Sequence, residues 1–527
     1  MKKLYILLIL VFSFQALNAQ LIWQKTYGGS AHEYAWKTIP TSDGGFAFVG
    51  FSESNDGDVS GNHGGVDLWV AKADASGTIE WSKLYGGTED DEGYDITQTA
   101  DNGFMVVGWT DSFDGDVTGH HGTYGSDLWV LKLTSTGAIT WSKCYGGTSD
   151  DDGASIAQSQ SGDYFVAGST YSYDGDVSGN HGTYESDFWV IKISSSGTLL
   201  NQKCVGGTGY DEGIKMIATA DDGCIVVGRT SSTDLTSIGY HGGADMLVAK
   251  LTSGLVISWS KCYGGSETEE ANAVVQLNDG SYAVLGYSST GNNGDVTGHH
   301  GSQGQDDFWL LKLTSAGAIT WAKCFGGDSD DQANGLAKTS DGGFVMSGLT
   351  SSTNGDVSGF HGGGFFEPDI WVAKVDGSGT LQGQRCCGGS GQDESFNVYE
   401  ESSNVFVVTG FTYSSDYDVT QNRGSADGWI LKVTPTAGIG ENNVESGFML
   451  YPNPAIDEIN VNFISTEKVK AILSLKDITG REIISESFEL SVGNINRKIN
   501  ISGLAKGIYL IEILNTSAKY SRIFVKQ

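Results

Sequence analysis

A block of about 60 residues recurs seven times before residue 435, and its period constrains the fold more than any single motif does. The blocks open at Trp23 (WQKTYGG), Trp81 (WSKLYGG), Trp141 (WSKCYGG), Asn201 (NQKCVGG), Trp259 (WSKCYGG), Trp321 (WAKCFGG) and Gly383 (GQRCCGG), with spacings of 58, 60, 60, 58, 62 and 62 residues. A fixed period of this length means repeated supersecondary units, each of which buries its apolar faces only against its neighbours.

Each unit contains four strand-like runs, typified by Glu92–Thr99, Phe104–Thr110, Asp127–Leu133 and Ile139–Tyr145. The first and second runs flank a turn at Asp101-Asn102-Gly103, and the third and fourth flank a Ser-Thr-Gly turn, both hairpin signals. The runs are almost continuously apolar, as in Phe104-Met105-Val106-Val107, which calls for a sheet covered on both faces. Four-stranded meanders stacked face to face predict an all-β, seven-bladed β-propeller. The chain opens on a lone fourth strand, Leu21–Tyr27, and the seventh unit stops after its third, Asp427–Val433, so the opening strand is expected to complete the last blade and close the ring. The fourth-to-first and second-to-third connections then share one rim, which gathers Glu89-Asp90-Asp91-Glu92, Asp150-Asp151-Asp152 and the long loops around Asp114-Gly115-Asp116 and His120-His121.

Charge follows the repeats. The net charge is -33, and residues 21–434 hold 19 Lys and Arg against 54 Asp and Glu, whereas residues 435–527 hold ten of each. So acidic a surface repels phosphate backbones and anionic lipid, which argues against nucleic acid or a membrane surface as partner and leaves cations, glycans and proteins. Residues 1–19, with Lys2, Lys3, an apolar run from Leu4 and Ala19 at the cut, read as a secretory signal peptide. No later segment is long and apolar enough to span a membrane as a helix. Five of the seven cysteines (Cys144, Cys204, Cys262, Cys324, Cys386) hold one position in successive units, too far apart for disulfides, so buried free thiols are expected.

The period ends at a polar linker, residues 435–447, and residues 448–527 read as a small β-sandwich with strands around Ile459–Phe463, Lys470–Asp477, Ser485–Leu490, Arg497–Ile501, Gly507–Leu514 and Ser521–Val525. Its motifs YPNPA (Tyr451, Pro452, Asn453, Pro454), LKDITGREI (with Gly480), LAKGIYLIEI (with Gly507 and Tyr509) and the terminal RIFVKQ resemble the type A C-terminal sorting domain of the type IX secretion system. The resemblance implies the type IX machinery as partner, passage across the outer membrane, removal of the tail, and release or attachment at the cell surface. The repeats, with DGGF and SxDGDVxGxHG signatures, are similar to an uncharacterised repeat common in proteins with such tails, which implies location and not activity.

Several residues carry candidate chemistry. Asp-Gly-Asp recurs at Asp56 and Asp58, Asp114 and Asp116, and Asp174 and Asp176; alternating carboxylates suit Ca²⁺, but the bidentate Glu of an EF-hand is missing, and the pattern reads first as Asx turns around a glycine of positive φ. His63, His121, His181, His241, His300 and His361 share one loop position, replaced by Arg423 in the seventh unit, and are spread around the ring, so they read as bonding their own loops. The recurring Lys residues read as charges that protect an outer strand, and the Trp of each third strand as core. Tyr124, Tyr184, Tyr240, Phe365 and Phe366 fall at loop tips, and Arg229 ends a second strand on the acidic rim, which makes them candidate ligand contacts. Trp36, Trp109, Lys215, Arg229 and Arg423 break the repeat. No nucleophile–base motif stands in a supporting context, so no catalytic residue is assigned. The leading expectation is a surface-delivered module that binds a glycan or protein through the loop-rich rim. A polysaccharide hydrolase or lyase with its site at the propeller opening is the alternative, and a purely structural surface repeat is a third.

Overall fold

Seven antiparallel sheets of four strands follow one another along residues 20–434 in a computed structural model. It describes residues 20–363, 366–435, 449–451, 458–465, 470–477, 481–489, 493–514 and 519–526. The expected signal peptide, the linker from residue 436, Phe365, Pro452, Asn453, Pro454 and Gly480 lie outside the described residues. The chain divides into two units, Met1–Gly438 and Ile439–Gln527.

Blade 2 shows the pattern: Asp91–Gln98, Phe104–Thr110, Asp127–Leu133 and Ile139–Tyr145 pair in order. Its first hairpin turns at Asn102, whose φ of 62° is the left-handed conformation that an Asn or Gly tolerates, with Thr99 N–H donating to Gly103 C=O at 2.9 Å. The second and third strands are buried almost throughout, because each blade is covered on both faces by its neighbours. Trp69, Trp129, Trp189, Trp309, Trp371 and Trp429 of the third strands are fully buried in the cores between blades.

The opening strand Gln20–Tyr27 pairs with Asp427–Thr434 along its length, from Gln20 opposite Thr434 to Tyr27 opposite Gly428. It completes blade 7 with Asp393–Ser402 and Val405–Thr412, and blade 7 packs against the first strand of blade 1, so the ring is closed. The fold is therefore the seven-bladed propeller that the repeat predicts.

The lysines do more than shield an edge. Lys143 and Tyr145 of a fourth strand both donate to Gly197 C=O in the next blade, at 2.8 and 2.6 Å, and Lys83 with Tyr85 does the same to Gly137 at 3.1 and 2.6 Å. Third-strand Lys132 is nearly buried and bonds Thr99, Asp101 and its neighbour's carbonyl. A long stem over apolar surface with its head on fixed acceptors fastens hairpins and blades together. All seven cysteines are free and buried, and burial pushes the Cys204 thiol up to about 12. A thiol reagent at pH 8 is expected to modify none of them in the native protein and all of them in guanidinium; rapid native labelling would show a loose interblade core.

In the second unit, Met449–Tyr451, Glu458–Ser465 and Gly493–Asn500 form one sheet, and Glu482–Glu489, Lys470–Asp477, Gly507–Leu514 and Lys519–Lys526 form another. They share a core that includes Ile459, Val461, Leu473, Leu475, Ile511 and Ile513. Tyr509 is buried, with its hydroxyl donating to Ala505 C=O at 2.8 Å.

Candidate functional site

The first strands of the seven blades are Glu33–Pro40, Asp91–Gln98, Asp151–Gln158, Asp211–Ala218, Glu269–Gln276, Asp331–Lys338 and Asp393–Ser402, and each carries a bulge at one position. In blade 1 the register slips between Ala35 and Lys37, so that Trp36 is the extra residue. A bulge lets two consecutive side chains face the same way, which regular alternation forbids. Trp36 and Lys37, Ile214 and Lys215, and Phe396 and Asn397 consequently all line one cavity of about 400 Å³ to which all seven blades contribute.

Its walls differ around the ring. Blades 7, 1 and 2 supply aromatic faces: Trp36 lies 4.2 Å from Phe396 and 5.2 Å from Tyr94 between ring centroids, and Trp109 Nε1–H donates to Tyr94 Oη at 3.3 Å. Blades 3 to 5 supply Asp152, Glu212 and Glu270, and blades 5 and 6 add the amides Asn272 and Asn334, joined at 3.1 Å. The acids sit at the second position of each first strand, beside the fourth-to-first loops, so they belong to the end of the cavity on the loop-rich rim. Burial pushes Glu92 and Glu394 up to about 7 and Asp152 up to about 6. Glu92 accepts from Tyr94 at 2.9 Å and Asp152 from Ser126 at 2.8 Å.

At the fifth position the residues around the ring are Lys37, Asp95, Ser155, Lys215, Ala273, Gly335 and Asn397. Asp95 accepts from Lys37 through Oδ1 and, through Oδ2, from Lys215 at 2.9 Å, Ser155 Oγ at 2.8 Å and Ile156 N–H at 3.2 Å. Burial would raise the Asp95 carboxyl, but the ammonium groups of Lys215 and Lys37 outweigh it and hold it at about 2. Burial draws Lys37 down to about 8, opposed by Asp95 and reinforced by Lys215.

The repeat-breaking residues Trp36, Trp109 and Lys215 thus meet at the axis. Arg229 is beside them but engaged: its guanidinium contacts Glu212 at 2.9 Å and Glu270 at 3.2 Å and lies 5.1 Å from the Tyr210 ring. Tyr124, Tyr184 and Phe366 stand 86, 87 and 85% exposed on loops of blades 2, 3 and 6. Tyr240 is half-buried, with its hydroxyl on Gly243 C=O at 2.8 Å. Sequence reasoning missed Tyr94, Asp95, Lys37, Asn272, Asn334 and Phe396. The signal for them is the variability of two adjacent positions in strands that otherwise repeat.

The Asp-Gly-Asp loops act as clamps. Asp56, Asp114 and Asp174 accept through Oδ1 from the backbone N–H of Ser30, Thr88 and Thr148 in the connection from the previous blade, at 2.8, 2.9 and 2.8 Å. The acceptor reaches across 26 residues and not within its own turn, which corrects the local Asx-turn expectation. Gly115 has φ of 65°, and a Cβ there would collide with Gly86 C=O. Blade 4, which lacks the motif, places Asp234 in the same role on Thr208 N–H at 3.0 Å. The second acids face a different partner. Arg423 pairs with Asp58, and Asp176 lies 3.9 Å from His121, whose other ring nitrogen is 2.8 Å from Asp127. Asp116 donates its backbone N–H to Gly86 C=O at 2.9 Å. Among the described residues, no three His, Cys, Asp or Glu side chains are grouped so as to hold a metal ion.

Comparison with known proteins separates the two units. Residues 449–527 match the family model described as secretion system C-terminal sorting domain. Against curated proteins, the chain is 21% identical over 421 residues to the regulatory protein FlaEY of Caulobacter vibrioides, an alignment that covers 71% of this chain and 42% of that protein. Among solved structures, a Synechocystis apocarotenoid oxygenase mutant is 12% identical with a TM-score of 0.38, covering 78% of this chain and 95% of that one. Puromycin hydrolase is 9% identical with a TM-score of 0.40, covering 82% and 59%. The PQQ-bound aldose sugar dehydrogenase of Streptomyces coelicolor is 11% identical with a TM-score of 0.33, covering 79% and 98%.

The fold and the tail define the class: a β-propeller repeat protein that bears a C-terminal sorting domain. It is cargo of the type IX secretion system, exported to the cell surface or secreted. No helix among the described residues is long and apolar enough to cross a membrane.

Proposed function

We propose that this exported propeller is a glycan-binding module and that its site is the axial cavity, with the rim aromatics secondary. The observation that carries the reading is the break in the repeat at the axis, where Trp36, Tyr94 and Phe396 oppose hydrogen-bonding acids and amides. Sugars offer a C–H face that packs on aromatic rings and hydroxyls that bond carboxylates and amides, and this cavity supplies both within one wall-to-wall span. The loop-rich rim remains the route of approach. A polysaccharide hydrolase is the second reading, favoured by the elevated carboxyls Glu92, Glu394 and Asp152, since an acid that stays protonated near neutral pH can donate to a leaving group.

The test is a glycan array with the mature chain. Trp36→Ala is expected to lower affinity for positive glycans by at least about tenfold, the worth of one aromatic platform. The pair Tyr124→Ala and Tyr184→Ala is expected to change it less than about threefold. The reverse pattern would move the site to the rim. Reducing-end release from those glycans, abolished by Glu92→Gln, would select the hydrolase.

A further inference from the structure

We infer that the glycan bound in the axial cavity is acidic and that its carboxylate lies between Lys37 and Lys215. The inference rests on the glycan reading and adds the charge of the ligand. Three observations converge on it. The propeller is strongly acidic, yet two lysines from blades 1 and 4 converge in this cavity on a single carboxylate, Asp95, which leaves one positive charge in excess. Each ammonium has three donors, and among the described residues each has one hydrogen-bond acceptor, the Asp95 carboxylate. The two lysines line the cavity, so their spare donors are open to an acceptor brought by a ligand.

The bulge supplies the second link. Because Trp36 and Lys37 are consecutive and both line the cavity, a pyranose packed on the indole lies beside Lys37 on the same wall. A carboxylate on the sugar's C5 is a single negative charge, which matches the single excess positive charge; a phosphate dianion would leave one charge uncompensated in a buried site. The third observation is that Arg229, which could have served as an anion clamp, is occupied by Glu212 and Glu270. At the mouth Arg229 offsets one of the two carboxylates Glu212 and Glu270, and burial raises Glu270 and Asp152 toward their neutral forms, so the lining acids do not close the cavity to an anion.

Titration calorimetry of the mature chain with tetragalacturonate and with its fully methyl-esterified form tests the proposal. The acid is expected to bind at least about tenfold tighter, as a charge-assisted contact requires, and the margin should shrink in 0.5 M salt. Lys215→Met should erase the margin by weakening the acid more than the ester, and Lys215→Arg should retain it. Equal affinity for acid and ester overturns the inference but leaves glycan binding standing. Equal loss for both ligands in Lys215→Met reduces the lysine to a structural role and also overturns it. Binding of neither ligand overturns the proposal, and the array of neutral glycans then decides the broader reading separately.

Discussion

Deletion of residues 20–28 is expected to lower the melting temperature of the protein by more than about 10 °C and to drive it into aggregates. Within that strand Tyr27 is 3% exposed and donates to Gly77 C=O at 2.8 Å, Trp23 meets Phe46 edge to face at 6.1 Å, and Gln24 accepts from the buried Trp429 indole at 2.8 Å. Loss of one buried aromatic side chain alone costs about 3–5 kcal/mol, and here a backbone ladder of eight residues goes with it. The strand Asp427–Thr434, which carries the buried Leu431 and Val433, becomes a bare edge and a template for pairing with another chain. Size-exclusion chromatography and thermal denaturation check this. A truncated protein that stays monomeric and melts with the intact one would mean that closure contributes nothing.

The protein is expected to be more stable at pH 5 than at pH 8, by about 5–10 °C in melting temperature. At each junction between blades two buried acids flank a glycine, as Asp67 and Asp91 flank Gly86. The Oδ1 of Asp67, and of its counterparts Asp127, Asp187, Asp245, Asp307, Asp369 and Asp427, is buried with no hydrogen-bond partner. Burial pushes Asp91 and Asp211 up to about 6, and Asp151, Asp331 and Asp393 up to about 7. A carboxyl raised in the folded state binds its proton there while the unfolded chain has lost it. Its contribution is therefore full below the unfolded value near 4 and disappears as pH rises through 6 to 7. His300 and His361 are raised by their bonds to Asp307 and Asp369 and act in the same direction. Asp95, Asp43, Asp101 and Asp341, all held at about 2 by lysine partners or nearby donors, lose their contribution only as pH falls below about 4. Stability should peak near pH 4, and Asp151→Asn, which fixes a neutral side chain at one junction, should raise the melting temperature at pH 8 and flatten the slope. A melting temperature that rises from pH 5 to pH 8 would show that these acids are ionised and otherwise compensated.

The sequence by itself determined the architecture, because a propeller is built from local rules that repeat. Each hairpin is specified by its own turn residues, as at Asp101-Asn102-Gly103, and each sheet by contiguous apolar runs. Closure was legible because it is a matter of counting strands: seven units, with the fourth strand of the last supplied by Leu21–Tyr27. The tail was legible because YPNPA, LKDITGREI and LAKGIYLIEI are ordered along one short segment. The axial cavity was not. Lys37, Asp95 and Lys215 are separated by 58 and 120 residues, and only the ring brings them to one point. The bulge that turns Trp36 and Lys37 to the same side has no residue signature of its own, since Trp36, Tyr94, Ala154, Ile214, Asn272, Asn334 and Phe396 all occupy it. The Asp-Gly-Asp loops show the same limit from the other side. Their composition points first to a turn and second to a cation, and the partner of the first acid, a backbone amide 26 residues away in the preceding connection, is set by the packing of one blade on the next. Local propensity fixes what repeats along the chain. Long-range packing alone decides which of the residues that do not repeat come face to face.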